Sequence, residues 1–168
     1  MDAMIPARSA AAMTLVLLLP SAAAAETVEV GVYGDWRAYT EGATCYLGAE
    51  PKKAEGKYKL RDQPYVLVSH RPGDKSLGVV RIIAGYTYKP GSETDVAIGD
   101  KSFRLFTDGG DAWARNARTD RALVAAMKAG KAMTVKGTSS RGTLTTDTYS
   151  LAGFTAAYAA IGKACKVK

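Results

Sequence analysis

The residues with the most obvious capacity for chemistry lie in the stretch KGTSSRGTLTTDTYS, from Lys136 to Ser150. Nine of its fifteen residues carry a hydroxyl group, and a single arginine, Arg141, lies near its middle. Such a stretch could hold a serine nucleophile, bind a ligand, or form the polar turn of a β-hairpin. A nucleophilic serine needs a base beside it, and His70 is the only histidine in the chain.

The chain offers few partners for catalysis. Ser69 precedes His70, but adjacent residues of a strand point to opposite faces of the sheet and cannot pair as nucleophile and base. Ser139 and Ser140 could reach His70 only through tertiary folding, which leaves a hydrolase centred on these residues as an open hypothesis. The sequence DGGD is more typical of a turn than of a calcium loop. We predict that the protein is not an enzyme and has no catalytic residue, cofactor or metal site.

The hairpin explains most of the hydroxyl-rich stretch. Apolar residues alternate in AMTVKG before the turn, and β-branched threonines, which suit strands, follow in TLTTDTY. Thr138 to Gly142 form the predicted loop, where Gly142 can take a positive φ. Arg141 is then left as an exposed cation at the loop tip. We take Arg141, Ser139 and Ser140 as candidate binding residues for an anion or a partner.

Two tyrosines form a second candidate binding surface. Tyr86 and Tyr88 alternate onto one face of a predicted strand, with Lys89 beside them. They could stack on sugars or bases, although tyrosines on strands commonly cover the sheet itself.

Short strands must position these residues, because apolar runs alternate with turn residues through most of the chain. The predicted strands are Tyr65 to His70, Val79 to Tyr86, Thr94 to Gly99, Lys101 to Phe106, a short strand around Trp113, Ala132 to Gly137 and Thr143 to Tyr149. Gly99 and Asp100 suit a tight hairpin between two of them. Trp36 is predicted to anchor the core. Frequent short strands without a βαβ rhythm indicate a sandwich or a barrel.

Two helices interrupt the strands. The first is predicted from about Ala117 to Ala129, with Asn116 as N-cap and Gly130 after its last turn. The second is predicted to begin after Ser150, another good N-cap residue. Its apolar face, which we expect to pack on the sheet, carries Leu151, Phe154, Tyr158, Ile161 and Cys165.

The first residues of the chain have the layout of a secretory signal peptide. Arg8 supplies the positive charge, Ala10 to Leu19 form a short apolar run, and Pro20 ends it. Small residues precede Glu26, which predicts cleavage after Ala25. We therefore expect a signal peptide over residues 1–25 and a single domain over residues 26–168.

The formal net charge is +7. A basic exported protein is attracted to anionic surfaces, which makes an anionic membrane surface a candidate partner. Nucleic acid is not predicted as a partner, because no arginine-rich run or base-stacking motif is present.

The chain contains two cysteines, Cys45 and Cys165. In an oxidising compartment the natural expectation is one disulfide between them. This bridge would join the last helix to a strand beneath it.

The chain resembles the invasion-associated locus B family of exported alphaproteobacterial proteins. The resemblance rests on YGDWRAY (Tyr33 to Tyr39), DAWARN (Asp111 to Asn116), the long run from Asp120 to Ile161, and the terminal Cys165. It implies an immunoglobulin-like antiparallel β-sandwich and a periplasmic or surface location. Many members carry another cysteine soon after the GDW tryptophan; this chain lacks it, which favours the long-range pairing.

For pathogenic members the resemblance also implies an association with host-cell invasion, but it supplies no agreed activity. We therefore predict a non-enzymatic, exported cell-envelope protein that acts by contact with an envelope or host-surface partner. A periplasmic binding or carrier protein for a small ligand is the alternative. Either function places the protein in the periplasm, or secreted to the cell surface.

Overall fold

The computed structural model describes residues 25–167. The predicted signal peptide therefore lies outside the described residues, apart from Ala25. The strands are β1 (Thr27–Tyr33), β2 (Trp36–Glu41), β3 (Thr44–Ala49), β4 (Lys53–Gly56), β5 (Tyr65–Arg71), β6 (Ser76–Ile83), β7 (Glu93–Ile98), β8 (Lys101–Asp108), β9 (Asp111–Trp113), β10 (Ala132–Thr138) and β11 (Leu144–Ser150). The helices are α1 (Ala117–Ala129) and α2 (Phe154–Ala164).

All the paired strands of residues 25–167 are antiparallel and belong to one hydrogen-bonded sheet, in the order β1-β2-β3-β5-β6-β9-β8-β7-β10-β11-β4. The sheet folds over so that its distant strands meet. The indole nitrogen of Trp36 on β2 donates to the carbonyl of Ser150 on β11 at 3.0 Å. The predicted mainly β fold, an antiparallel β-sandwich with two helices and the C-terminal one packed on the sheet, is confirmed.

The inward faces of the strands build one hydrophobic core. Alternate residues point inward, such as Val66 and Val68 on β5 and Val80 and Ile82 on β6, and each is fully buried. Trp36 is also fully buried, as predicted. Its ring packs edge to face against that of Phe154, with the ring centres 4.9 Å apart. This contact holds α2 against the sheet.

The prediction for α1 is confirmed, including its N-cap. Asn116 has extended backbone, and its side-chain oxygen accepts a hydrogen bond from the backbone nitrogen of Thr119 at 3.0 Å. Gly130 caps the other end with φ −86° rather than a left-handed conformation. A β-carbon at Gly130 would collide with the side chain of Ile98, so the glycine serves close packing there.

The prediction that Ser150 caps α2 is wrong. Ser150 is the last residue of β11, and α2 begins at Phe154 after Gly153, whose φ is 89°. The intervening turn is held by tertiary contacts, because Leu151 is buried in the core and the carbonyl of Ala152 accepts a hydrogen bond from the backbone of Asp35 at 3.2 Å. These contacts outweigh the capping preference of the serine.

The disulfide between Cys45 and Cys165 is present, as predicted, and spans 120 residues of sequence. Cys45 is buried on β3, and Cys165 caps the end of α2. The bond therefore ties the last helix to β3, the third strand from one edge of the sheet. Neither helix among residues 25–167 is long and apolar enough to cross a membrane.

Candidate functional site

A surface cleft of about 520 Å³ lies where three segments of the chain meet. We call it the Arg61 cleft and define it by residues 57–62, 85–87, 139–141, Thr143 and Thr145. The first segment follows β4, the second follows β6, and the third is the tip of the β10–β11 hairpin. The cleft thus depends on the fold of the whole sandwich rather than on one loop.

A buried ion pair forms the floor of the cleft. The guanidinium of Arg61 donates to both carboxylate oxygens of Asp147 at 2.7 and 2.6 Å. Its Nε also donates to the carbonyl of Ala84 at 2.7 Å. The side chains of Arg61 and Asp147 are only 2% and 3% exposed. This geometry gives the strong two-point contact that a planar guanidinium makes with a carboxylate.

Aromatic rings enclose the same guanidinium. It lies 5.5 Å from the ring centre of Tyr58 and 5.0 Å from that of Tyr86. Burial alone would lower the pKa of Arg61, but the hydrogen bonds and charge of Asp147 outweigh it, so the pKa is raised. Arg61 therefore stays charged and bound to Asp147 in the floor of the cleft, and its guanidinium is not free to bind a ligand.

The wall formed by residues 57–62 is fixed to the sheet. The backbone nitrogen of Asp62 donates to the carbonyl of Gly85 at 3.0 Å. Gly85 has φ 73°, and a β-carbon there would collide with the carbonyl of Asp62. Glycine at this position thus permits the close approach that holds the wall beside Tyr86.

The hairpin tip is equally well defined, and Gly142 takes the predicted positive φ of 82°. The Ser139 hydroxyl accepts a hydrogen bond from the backbone nitrogen of Thr143 at 3.1 Å. The backbone of Ser140 donates to the carbonyl of Thr87 at 2.8 Å. The Ser139 side chain is therefore buried and occupied with holding the loop, whereas Ser140 and Arg141 are exposed.

The structure brings four of the five predicted binding residues into one cleft: Tyr86, Ser139, Ser140 and Arg141. Tyr88 is buried instead, with its ring packed edge to face against Tyr86 at 5.2 Å. The expectation that both tyrosines sit on one strand is wrong, because β6 ends at Ile83 and Tyr88 only bridges to Ser139.

The phenol of Tyr86 is held against the hairpin by a hydrogen bond of 2.7 Å to the Thr145 hydroxyl. Burial raises the pKa of Tyr86, although this hydrogen bond opposes the effect. Tyr86 therefore stays neutral and lines the cleft with a fixed ring.

His70 is not brought to the cleft. Its Nδ1 accepts a hydrogen bond from the backbone nitrogen of Gly78 at 2.9 Å, and its ring packs against Tyr158. The pairing of His70 with Ser139 or Ser140 that a hydrolase would require is therefore not formed. Among residues 25–167 no group of three or more His, Cys, Asp or Glu side chains lies close enough together to hold a metal ion.

Sequence reasoning missed the wall of the cleft. Lys57, Lys59 and Leu60 belong to an irregular segment between β4 and β5, where neither a helical nor a strand pattern draws attention to them. The available signal was the alternation of cations in KYKLRD. Asp147 was also detectable, since it is an acidic residue at an inward position of β11.

The cleft has an excess of free positive charge. Lys57, Lys59 and Arg141 line it, and none of them forms an ion pair with a carboxylate of residues 25–167. Asp62 is the only acidic residue among the lining residues. The lining therefore favours an anionic group.

A second cavity, of about 450 Å³, lies at the other end of the sandwich beside Lys52. Three of its four charged lining side chains are already paired, and the fourth, Glu50, is acidic. Lys52 donates to Asp35 at 2.7 Å, and this hydrogen bond lowers the pKa of Asp35. Arg37 pairs with Glu29 at 3.4 Å. This cavity therefore has less to offer an anionic ligand than the Arg61 cleft does.

The fold and the site together define a disulfide-linked, mainly β sandwich with a cationic surface cleft. Residues 37–162 match the family model described as invasion associated locus B (IalB) protein. The match covers most of the chain, so the protein belongs to this family. It includes every residue of the Arg61 cleft, whereas Tyr33 to Trp36 and Cys165 lie outside it. Searches of curated proteins and of solved structures found no significant match.

Proposed function

We propose that this protein is a non-enzymatic, exported component of the cell envelope that acts by contact, and that the Arg61 cleft binds an anionic group of its partner. The observation that carries the proposal is the set of three unpaired cations around the cleft, Lys57, Lys59 and Arg141. The family description, which refers to an invasion-associated locus, agrees with a protein that acts at a surface. The signal-peptide pattern and the disulfide support export to the periplasm or the cell surface.

The chemistry of the cleft suits a phosphate or carboxylate. Arg141 offers a planar guanidinium for two-point contact, and the lysines add compact charges that need no fixed geometry. The exposed Ser140 lies next to Arg141 and supplies a hydroxyl donor. Because Arg61 is already neutralised by Asp147, the buried pair adds rigidity rather than net charge.

Two observations support binding rather than catalysis. The Ser139 hydroxyl already holds the backbone of its own loop, and His70 contacts Gly78 and Tyr158 instead of a serine. A serine hydrolase needs its nucleophile and base within hydrogen-bond reach of each other.

The alternative function, a carrier for a small ligand, would use the same cleft. Its volume of about 520 Å³ falls within the usual range for small-molecule pockets. A carrier should bind a soluble anion tightly by itself, whereas a contact protein should bind its isolated anionic group only weakly.

Amide NMR shifts during titration with inorganic phosphate test the proposal. We expect the amides of Thr87, Ser140 and Arg141 to move. The variant Lys57→Gln/Lys59→Gln/Arg141→Gln should lose these shifts, since it removes the free positive charge and keeps the buried pair.

A matched control changes the same number of charges elsewhere. Lys101→Gln/Lys131→Gln/Lys163→Gln removes three exposed cations outside the cleft. It should retain the phosphate-induced shifts. Equal loss in both triple variants would mean that only the overall charge matters, and the site assignment would then be wrong.

A further inference from the structure

Two of the most exposed large apolar side chains among residues 25–167 lie at the rim of the Arg61 cleft. Leu60 is 91% exposed, and Leu144 is 74% exposed. Leu60 lines the cleft itself, and Leu144 lines an adjoining depression that shares Lys57 and Thr143 with it. The two leucines and the free cations therefore form one continuous surface.

The position of Leu60 follows from the way its segment is anchored. Arg61 turns inward to Asp147, and the backbone of Asp62 is tied to Gly85. Leu60, which directly precedes Arg61, is thereby held outward in water. An exposed leucine gains free energy when an apolar environment covers it.

We propose that this surface docks on an anionic phospholipid bilayer, with Leu60 and Leu144 inserted at the headgroup boundary and the free cations of the cleft binding lipid phosphates. The inference rests on the proposed function, because the headgroup phosphate is its anionic group. Exposed apolar side chains bordered by basic residues are typical of proteins that lie on membranes. Each lysine or arginine close to an anionic leaflet strengthens such binding.

The composition of the rim favours a bilayer over a protein partner. Lysine is depleted in the buried centre of protein–protein interfaces, yet Lys57 and Lys59 closely precede Leu60 in sequence. A lysine next to a membrane keeps its ammonium group among the headgroups while its neighbour enters the apolar layer.

Co-sedimentation with vesicles tests the proposal. The mature protein should bind vesicles that contain phosphatidylglycerol, bind pure phosphatidylcholine vesicles much more weakly, and lose binding as the salt concentration rises. Leu60→Ala/Leu144→Ala should weaken vesicle binding by about tenfold or more while leaving the phosphate-induced NMR shifts intact. Lys57→Gln/Lys59→Gln/Arg141→Gln should weaken vesicle binding by about 100-fold and also abolish the phosphate-induced shifts.

A matched apolar control removes exposed side chains outside the cleft. Val32→Ala/Leu77→Ala should bind the vesicles as the unmodified protein does, because Val32 and Leu77 are exposed but do not line the cleft.

In addition, Leu60→Trp should show a blue shift of its fluorescence on phosphatidylglycerol vesicles.

The outcomes separate the two proposals. Phosphate shifts without vesicle binding would overturn the membrane inference and leave the anion-binding proposal standing. Absence of both would overturn both. Vesicle binding that depends on the cations but not on the leucines would refute insertion. A crosslinked protein partner lost in the leucine variant, with no binding to vesicles, would also overturn the inference.

Discussion

Asp147→Asn should destabilise the fold strongly, because it removes the negative charge from the buried pair beneath the cleft. The substitution keeps the size of the side chain but replaces one acceptor oxygen with a donor amide. Arg61 would then hold a positive charge in a site where its side chain is only 2% exposed. An arginine guanidinium does not lose its proton in proteins, so Arg61 cannot become neutral when the charge of Asp147 is removed.

The expected loss in the free energy of unfolding is about 3–5 kcal/mol, the usual cost of removing one partner from a buried pair. Of the two short hydrogen bonds, at 2.7 and 2.6 Å, one is lost because the amide NH2 cannot accept it, and the other no longer ends on a charged oxygen. A domain with a total stability of about 5–15 kcal/mol would lose a large part of it and unfold at a much lower urea concentration.

Urea unfolding followed by tryptophan fluorescence measures this loss, since Trp36 is fully buried in the native state. The disulfide should be kept intact in both proteins so that their unfolded states match. A loss below about 1 kcal/mol would show that the pair behaves as a surface salt bridge, and the reasoning from burial would be refuted.

The double variant Arg61→Met/Asp147→Leu provides the control. Apolar residues of similar size often replace a buried ion pair at little cost, so this variant should be more stable than Asp147→Asn alone. A double variant as unstable as the single one would indicate that packing at these positions, rather than an unpaired charge, causes the loss.

Three further predictions concern the rest of the fold. Cys45→Ser/Cys165→Ser should lower the free energy of unfolding by up to about 5 kcal/mol, because the bridge closes a loop of 120 residues. Comparison of its urea midpoint with that of the oxidised protein checks this, and an unchanged midpoint would contradict it. Burial and then a nearby lysine lower the pKa of His70 from 6.5, so the unfolded state binds the proton more tightly and stability should fall as the pH drops below 6.5. His70→Gln should remove that part of the slope between about pH 7 and pH 5, and an identical slope in both proteins would be the contrary result. Gly153→Ala should cost at least about 2 kcal/mol, since φ is 89° and the new β-carbon would collide with the carbonyl at the end of β1. Gly142→Ala, with φ 82° but open space around it, should cost clearly less by the same measurement.

Local signals account for the parts of the fold that could be predicted from the sequence. Asn116 caps α1 because its side chain bonds to a backbone nitrogen three residues away, and such a contact needs no knowledge of the rest of the chain. The β7–β8 hairpin turns at Gly99, where φ is 59°. Strand alternation also gave the buried side of β10, where Met133 and Val135 point inward, because a period of two is maintained along the strand.

Contacts between distant residues account for what could not be predicted. Arg61 and Asp147 are 86 residues apart in sequence, and the residues around either one do not indicate that the two side chains pair. The start of α2 was misplaced for the same reason, because Ser150 satisfies a local capping preference while Leu151 and Ala152 are held by core and backbone contacts. The candidate site could thus be predicted only in part. The hairpin tip carried a recognisable turn pattern, whereas the wall around Arg61 carried only the alternating cations of KYKLRD, which do not indicate what they line.

The residues that would meet a partner differ physically from those that shape the cleft. Lys57, Lys59, Leu60 and Arg141 are exposed, and the three cations among them form no ion pair within residues 25–167. The shape depends on the buried Arg61 pair and on the loop bonds beneath it. Substitutions of exposed side chains away from buried networks usually change stability by less than about 0.5 kcal/mol. If variants of these exposed residues lose binding to phosphate or vesicles while their urea midpoint is unchanged, the substituted side chains contact the partner directly. If Asp147→Asn loses the same binding, the cause is a change in the shape of the cleft.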